Sequence, residues 1–115
     1  MSVPVLPHIL RQHAEQAAFL WTVYDRALLS PADHPEMDAA ALADLVERLE
    51  AHLDGLRIAG AEGMKVAQAL YAEYPEPGEL FVVRMMTAGA PIAVADLDLH
   101  RVRAYLADQL GTPSG

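Results

Sequence analysis

Leu42, Leu45, Leu49, Leu53 and Leu56 recur at helical spacing on one side of a single stretch of chain, while Asp44, Glu47, Glu50 and Asp54 gather on the other. That pattern predicts a two-faced helix beginning around Met37 or Asp38 and stopped by Gly60. Upstream, Leu6, Leu10, His13, Ala17, Leu20, Tyr24 and Ala27 follow alternating steps of four and three, a heptad-like stripe that predicts a long first helix with Pro7 in its first turn and an end near Leu29. Between the two, Ser30-Pro31-Ala32-Asp33-His34-Pro35 reads as a loop, because both prolines oppose helical continuation. So short a connection makes the two helices antiparallel neighbours with facing apolar stripes.

A third helix fits Glu62 to Tyr74, with Met64, Ala67, Tyr71 and Tyr74 as its inner side, and Pro75-Glu76-Pro77-Gly78 closes it. Residues 79–88 are apolar nearly all round through Leu80, Phe81, Val82, Val83, Met85 and Met86, which suits a short buried helix and leaves a strand as the alternative. After Gly89 and Pro91, Asp96 or Asp98 can cap a last helix whose Leu99, Val102, Leu106 and Leu110 share a face, ended by Gly111-Thr112-Pro113. The fold class is therefore all-α: about five helices in a compact antiparallel bundle, a layout that also resembles the start of a helical solenoid. Residues 1–115 are expected to form a single domain, with 1–6 and 111–115 frayed.

Composition agrees with packed helices. Hydrophobic residues make up 53% of the chain, mostly Ala and Leu with few aromatics. Charge changes the picture more: 16 acidic against 8 basic residues give a formal charge of −8, which repels nucleic acid and anionic membranes and attracts basic protein surfaces. Seven of the acids and one base, Arg48, fall between Asp33 and Asp54. Cysteine is absent, which excludes disulfides, thiol nucleophiles and thiolate metal sites. The start lacks the pattern of a secretory signal, and no run approaches the ~20 apolar residues of a membrane span. A cytoplasmic location is the expectation.

Candidate chemistry is sparse. The five histidines show no metal-ligand spacing. His13 lies in an apolar stripe, where a packed, hydrogen-bonded histidine outweighs a catalytic base, and His52 reads as a boundary residue. Serines at positions 2, 30 and 114 lie in no nucleophile elbow, and no glycine-rich phosphate loop exists. The expectation is a protein without enzymatic activity, metal or cofactor. Trp21, Phe19 and Tyr24 read as core and its margin, with an exposed aromatic near Arg26 as the alternative partner anchor, Met85 and Met86 as core filling, and Tyr71 and Tyr74 beside the proline turn as surface candidates. The carboxylate pairs on the second helix are either a solvated face or a protein-binding stripe. With no cleft nearby in sequence, the solvated face is the first reading. The concentration of acids raises the alternative of a stripe, with Asp44, Glu47, Glu50 and Asp54 on the helix and Asp33 and Glu36 in the adjacent loop as partner-binding residues.

The segments from His13 to Trp21 and from Arg48 to Gly60, with Gly78-Glu79-Leu80-Phe81, resemble the N-terminal region of an uncharacterised proteobacterial family of HEAT-like helical-repeat proteins. The resemblance covers most of residues 8 to 86. Longer members continue into many repeats, whereas this sequence stops at Gly115, and it differs at Ala32-Asp33-His34-Pro35-Glu36 and at Met64, where an aromatic is usual. Members are often encoded near type VI secretion genes, and no catalytic residue carries over. The resemblance implies a role beside secreted toxins, as an immunity protein, an adaptor or a chaperone. The acidic patch adds the expectation of an immunity protein that binds and neutralises a type VI secretion toxin, such as a basic nuclease. The alternative is a structural adaptor, chaperone or capping module of a secretion-associated helical-repeat assembly. The expected partner is a protein with a basic surface, not nucleic acid or membrane, met by a chain that is a monomer or homodimer when free.

Overall fold

The leucine and carboxylate stripes become helix α2 (Ala39–Ile58), and Asp38 starts it: its side chain accepts the Ala41 N–H at 2.9 Å, satisfying one of the open donors of the first turn. Leu45, Leu49, Leu53 and Leu56 are buried along its inner side. Their partner is α1 (Pro7–Leu29), which buries Leu10, Ala14, Ala17, Ala18, Leu20, Trp21 and Ala27. The loop between them contains a 3-10 turn, Pro31–Asp33.

Gly60, with φ +60°, turns the chain into α3 (Ala61–Glu73); an L side chain at that φ is strained. The turn is tight. Gly63 lies so close to α2 that a Cβ would collide with the Leu56 carbonyl. Because α3 closes onto α2 at Gly63, its buried side is Gly63, Ala67 and Leu70, with Met64 and Tyr71 only half-buried. Tyr74, placed on the inner side by its spacing and read as a surface candidate from the adjacent proline turn, caps the helix beyond its last turn and is exposed.

Pro77 starts α4 (Pro77–Thr87) from within its first turn. Residues 79–88 thus fall in a helix through Thr87 and not a strand: Gly78, Phe81, Val82 and Met85 are buried at steps of three and four. Phe81 stacks on Trp21 at 4.0 Å between ring centroids and 6° between planes, joining α4 to α1 in the middle of the core. A second 3-10 turn, Val94–Asp96, leads to α5 (Leu99–Gln109), whose Asp98 cap accepts the Arg101 N–H at 3.3 Å.

The computed structural model describes residues 7–88 and 92–111, and among them there is no strand. The expected fraying of 1–6 and of residues beyond Gly111 lies outside the described residues. Helix α1 is the hub, packed against α2, α3 and α4 together. Among the described residues, helix α5 packs closely only on α4. Of its expected apolar face Leu106 alone is buried, while Leu99, Val102 and Leu110 are half-buried. The Arg103–Asp25 ion pair at 2.5 Å ties it to α1, and Arg84 lies over the Tyr105 ring, 5.3 Å from its centroid. The molecule measures 51 × 35 × 24 Å, with a radius of gyration of 14.5 Å. No helix among the described residues is long and apolar enough to cross a membrane.

Candidate protein-binding face

At about 100° per residue, Ala40, Ala43, Asp44, Glu47, Ala51, Asp54 and Ile58 line the side of α2 opposite its buried leucines. All are exposed. Asp44 and Glu47 enter no ion pair or hydrogen bond among the described residues. Ile58 ends the stripe at 87% exposure, the largest of the exposed large hydrophobic side chains. It was not among the expected binding residues, although its spacing of four and seven from Asp54 and Ala51 places it on their face. Small side chains between the acids leave the backbone approachable, and the bare isoleucine gives an apolar anchor among charges. The face thus combines a negative potential, which attracts a basic surface, with one apolar contact point.

Asp33 extends the acidic surface from the 3-10 turn and is exposed. Glu36, two residues before the Asp38 cap, is exposed and lies 3.6 Å from the His34 ring. This contact is an ion pair only when that ring is protonated.

Glu50 behaves differently. It sits at the edge of the stripe, turned inward, where its carboxylate accepts the Val94 N–H and lies 3.7 Å from Arg57. Val94 is itself buried, so Glu50 fastens the second 3-10 turn to α2. Arg57 shares Glu50's edge because seven residues span almost two whole turns. The Arg57 Nη1 that faces Glu50 also donates to Asp54 at 3.1 Å, and Nη2 is buried without a hydrogen-bond partner among the described residues. Of the six expected binding residues, Asp44 and Glu47 are both exposed on the helix and unpaired among the described residues, Asp33 and Glu36 flank them, Asp54 is exposed but shares Arg57, and Glu50 is occupied within the molecule.

His13 and His52 meet across α1 and α2, Nδ1 to Nδ1 at 3.0 Å, so one ring donates and the other accepts. The His13 ring fits because residue 55 is glycine: a Cβ there would be 2.8 Å from its Cδ2 and Nε2. Desolvation, then the neighbouring His13 and Arg48, hold His52 below the usual histidine range. The two residues are 39 apart in the chain, and their partnership is visible only once the helices are paired in register. Among the described residues no three His, Cys, Asp or Glu side chains converge as a metal-ligand set.

No protein-family model, curated protein or solved structure matches the chain.

Proposed function

We propose that the chain is an acidic protein-binding domain without catalytic activity that docks a basic partner on the outer face of α2. The observation that carries this reading is the exposed stripe itself, in which Asp44 and Glu47 have no counterion among the described residues and Ile58 projects at one end. Carboxylates held out on a rigid helix steer a basic partner into encounter, and the isoleucine supplies contact area once it arrives.

The sharper form of the proposal is an immunity protein that neutralises a type VI secretion toxin in the cytoplasm. The resemblance of the His13 to Trp21 and Arg48 to Gly60 segments supports the secretion context. The charge supports the target, because a nuclease needs positive groups to hold phosphates and a carboxylate face competes for those groups. Co-expression with each toxin encoded at the same locus tests this form. Rescue of growth from one toxin, lost when Asp44 and Glu47 are changed to Lys, is the expected result. Failure to protect against any of them sinks the immunity reading. Lost secretion without self-intoxication on deleting the gene supports the adaptor in its place.

A further inference from the structure

Glu15, Phe19 and Thr22 lie on the side of α1 turned away from His13, and hence away from α2. Together with Tyr74, Glu76 and Glu79 they line a groove of about 380 Å³ between α1 and the turn from α3 to α4, a volume in the range of small-ligand clefts. Gly78 brings the two walls together: a Cβ there would stand 2.6 Å from the Ala18 carbonyl oxygen and 2.9 Å from the Thr22 hydroxyl. The groove is therefore a consequence of close helix packing and not of a loose loop.

Phe19 is 60% exposed and Tyr74 46%, so two aromatic side chains are left substantially in water at one cleft. Aromatic side chains are enriched at protein interfaces. Three carboxylates share the cleft and none of the described residues lining it is basic. Arg11, the nearby base on α1, is already committed to Glu73 at 3.0 Å and Glu15 at 3.6 Å. Burial and the neighbouring Glu76 push the Glu79 carboxyl above the usual range, the state of an acid whose surroundings supply too little compensating charge.

We propose that this groove is a docking site for an arginine side chain carried by a protein partner, the guanidinium stacking on Phe19 and Tyr74 and pairing with Glu76 and Glu79. Charge complementarity selects the occupant: acidic groups with aromatic faces fit a planar, delocalised cation that both stacks and forks onto carboxylates. The site is separate from the α2 face, and it stands or falls independently of the function proposed above.

The test is a two-dimensional amide NMR titration of the full chain with acetyl-Leu-Arg-Leu-amide. Shifts should concentrate on Glu15 to Thr22 and Leu70 to Glu79, and acetyl-Leu-Glu-Leu-amide should produce none there. Phe19→Ala and the double variant Glu76→Gln/Glu79→Gln should each weaken binding by about two- to fivefold, the effect of an exposed cation–aromatic or charged contact. Both change exposed or half-buried side chains, and unchanged spectral dispersion checks that the fold is intact. A variant with Asp44, Glu47 and Asp54 changed to Lys should bind the arginine peptide at this groove as the parent does. Shifts centred on α2, equal shifts with the glutamate peptide, or full affinity in both groove variants would overturn the proposal. Tighter binding of acetyl-Leu-Lys-Leu-amide would overturn the choice of arginine.

Discussion

Glu50 and Asp44 carry the same charge six residues apart on α2, yet only Glu50 holds a buried donor, the N–H of Val94, and faces Arg57. Removing it leaves that N–H without a partner and Arg57 with Asp54 alone. Glu50→Ala should therefore lower unfolding stability by about 1–3 kcal/mol, whereas Asp44→Ala should change it by less than about 0.5 kcal/mol. Urea unfolding of the two variants reads the difference, and equal effects would refute the division of roles. The stripe of acids was legible in the sequence as helical spacing. The inward turn of Glu50 was not, because its donor lies 44 residues away on a turn with no periodic signal. The His13–His52 pair makes a second residue-scale prediction. The folded state holds His52 below its ordinary value of about 6.5, so the unfolded chain takes up its proton first. Stability from this group is complete above that pH and falls as pH drops through it toward the lower folded value. Thermal unfolding between pH 7.5 and 5 should show that loss, and His52→Gln should make the curve flatter over this window. A slope unchanged by the substitution would contradict it.

At the scale of elements, the punctuation of the chain was its most readable part. Asp38, Gly60 and Asp98 bound helices for reasons of capping and positive φ, and these act locally, whereas Pro77 and Gly78, read as part of the closing turn, already belong to the first turn of α4. Which side of a helix is buried depends on its neighbours, and there spacing alone misplaced Tyr74. The close approach of α3 to α2 at Gly63 decides that rotation. Gly63→Ala should force the two helices apart and cost about 1–3 kcal/mol or more in urea unfolding. A neutral substitution would mean that the corner yields freely. Among the described residues, helix α5 is the helix with least support: one buried side chain, one ion pair and one arginine–tyrosine contact. Its amides should exchange with deuterium well before those of α1, by local opening and not by global unfolding. Matching protection in α1 and α5 would show that the contacts with α4 bind it more firmly than its burial indicates.

For the molecule as a whole, α1 touching α2, α3 and α4 makes a closed arrangement around one helix, with the Trp21–Phe81 stack near its middle. In a solenoid each pair stacks chiefly on the next; here the first helix is shared by all three neighbours. The sequence left those two layouts open because both use short turns and apolar stripes, and only the register between distant helices separates them. The net charge of −8 is distributed unevenly over this body, and the outer face of α2 combines unpaired acids with an exposed isoleucine. The central claim is that this face meets a basic protein. Its most direct test is calorimetric titration of the partner that co-purifies with the chain, against the parent and against a variant with Asp44, Glu47 and Asp54 changed to Lys. The account predicts a folded variant whose affinity is weaker by about tenfold or more, with parent binding that declines as salt is added. Equal affinity of parent and variant, independent of salt, would contradict it.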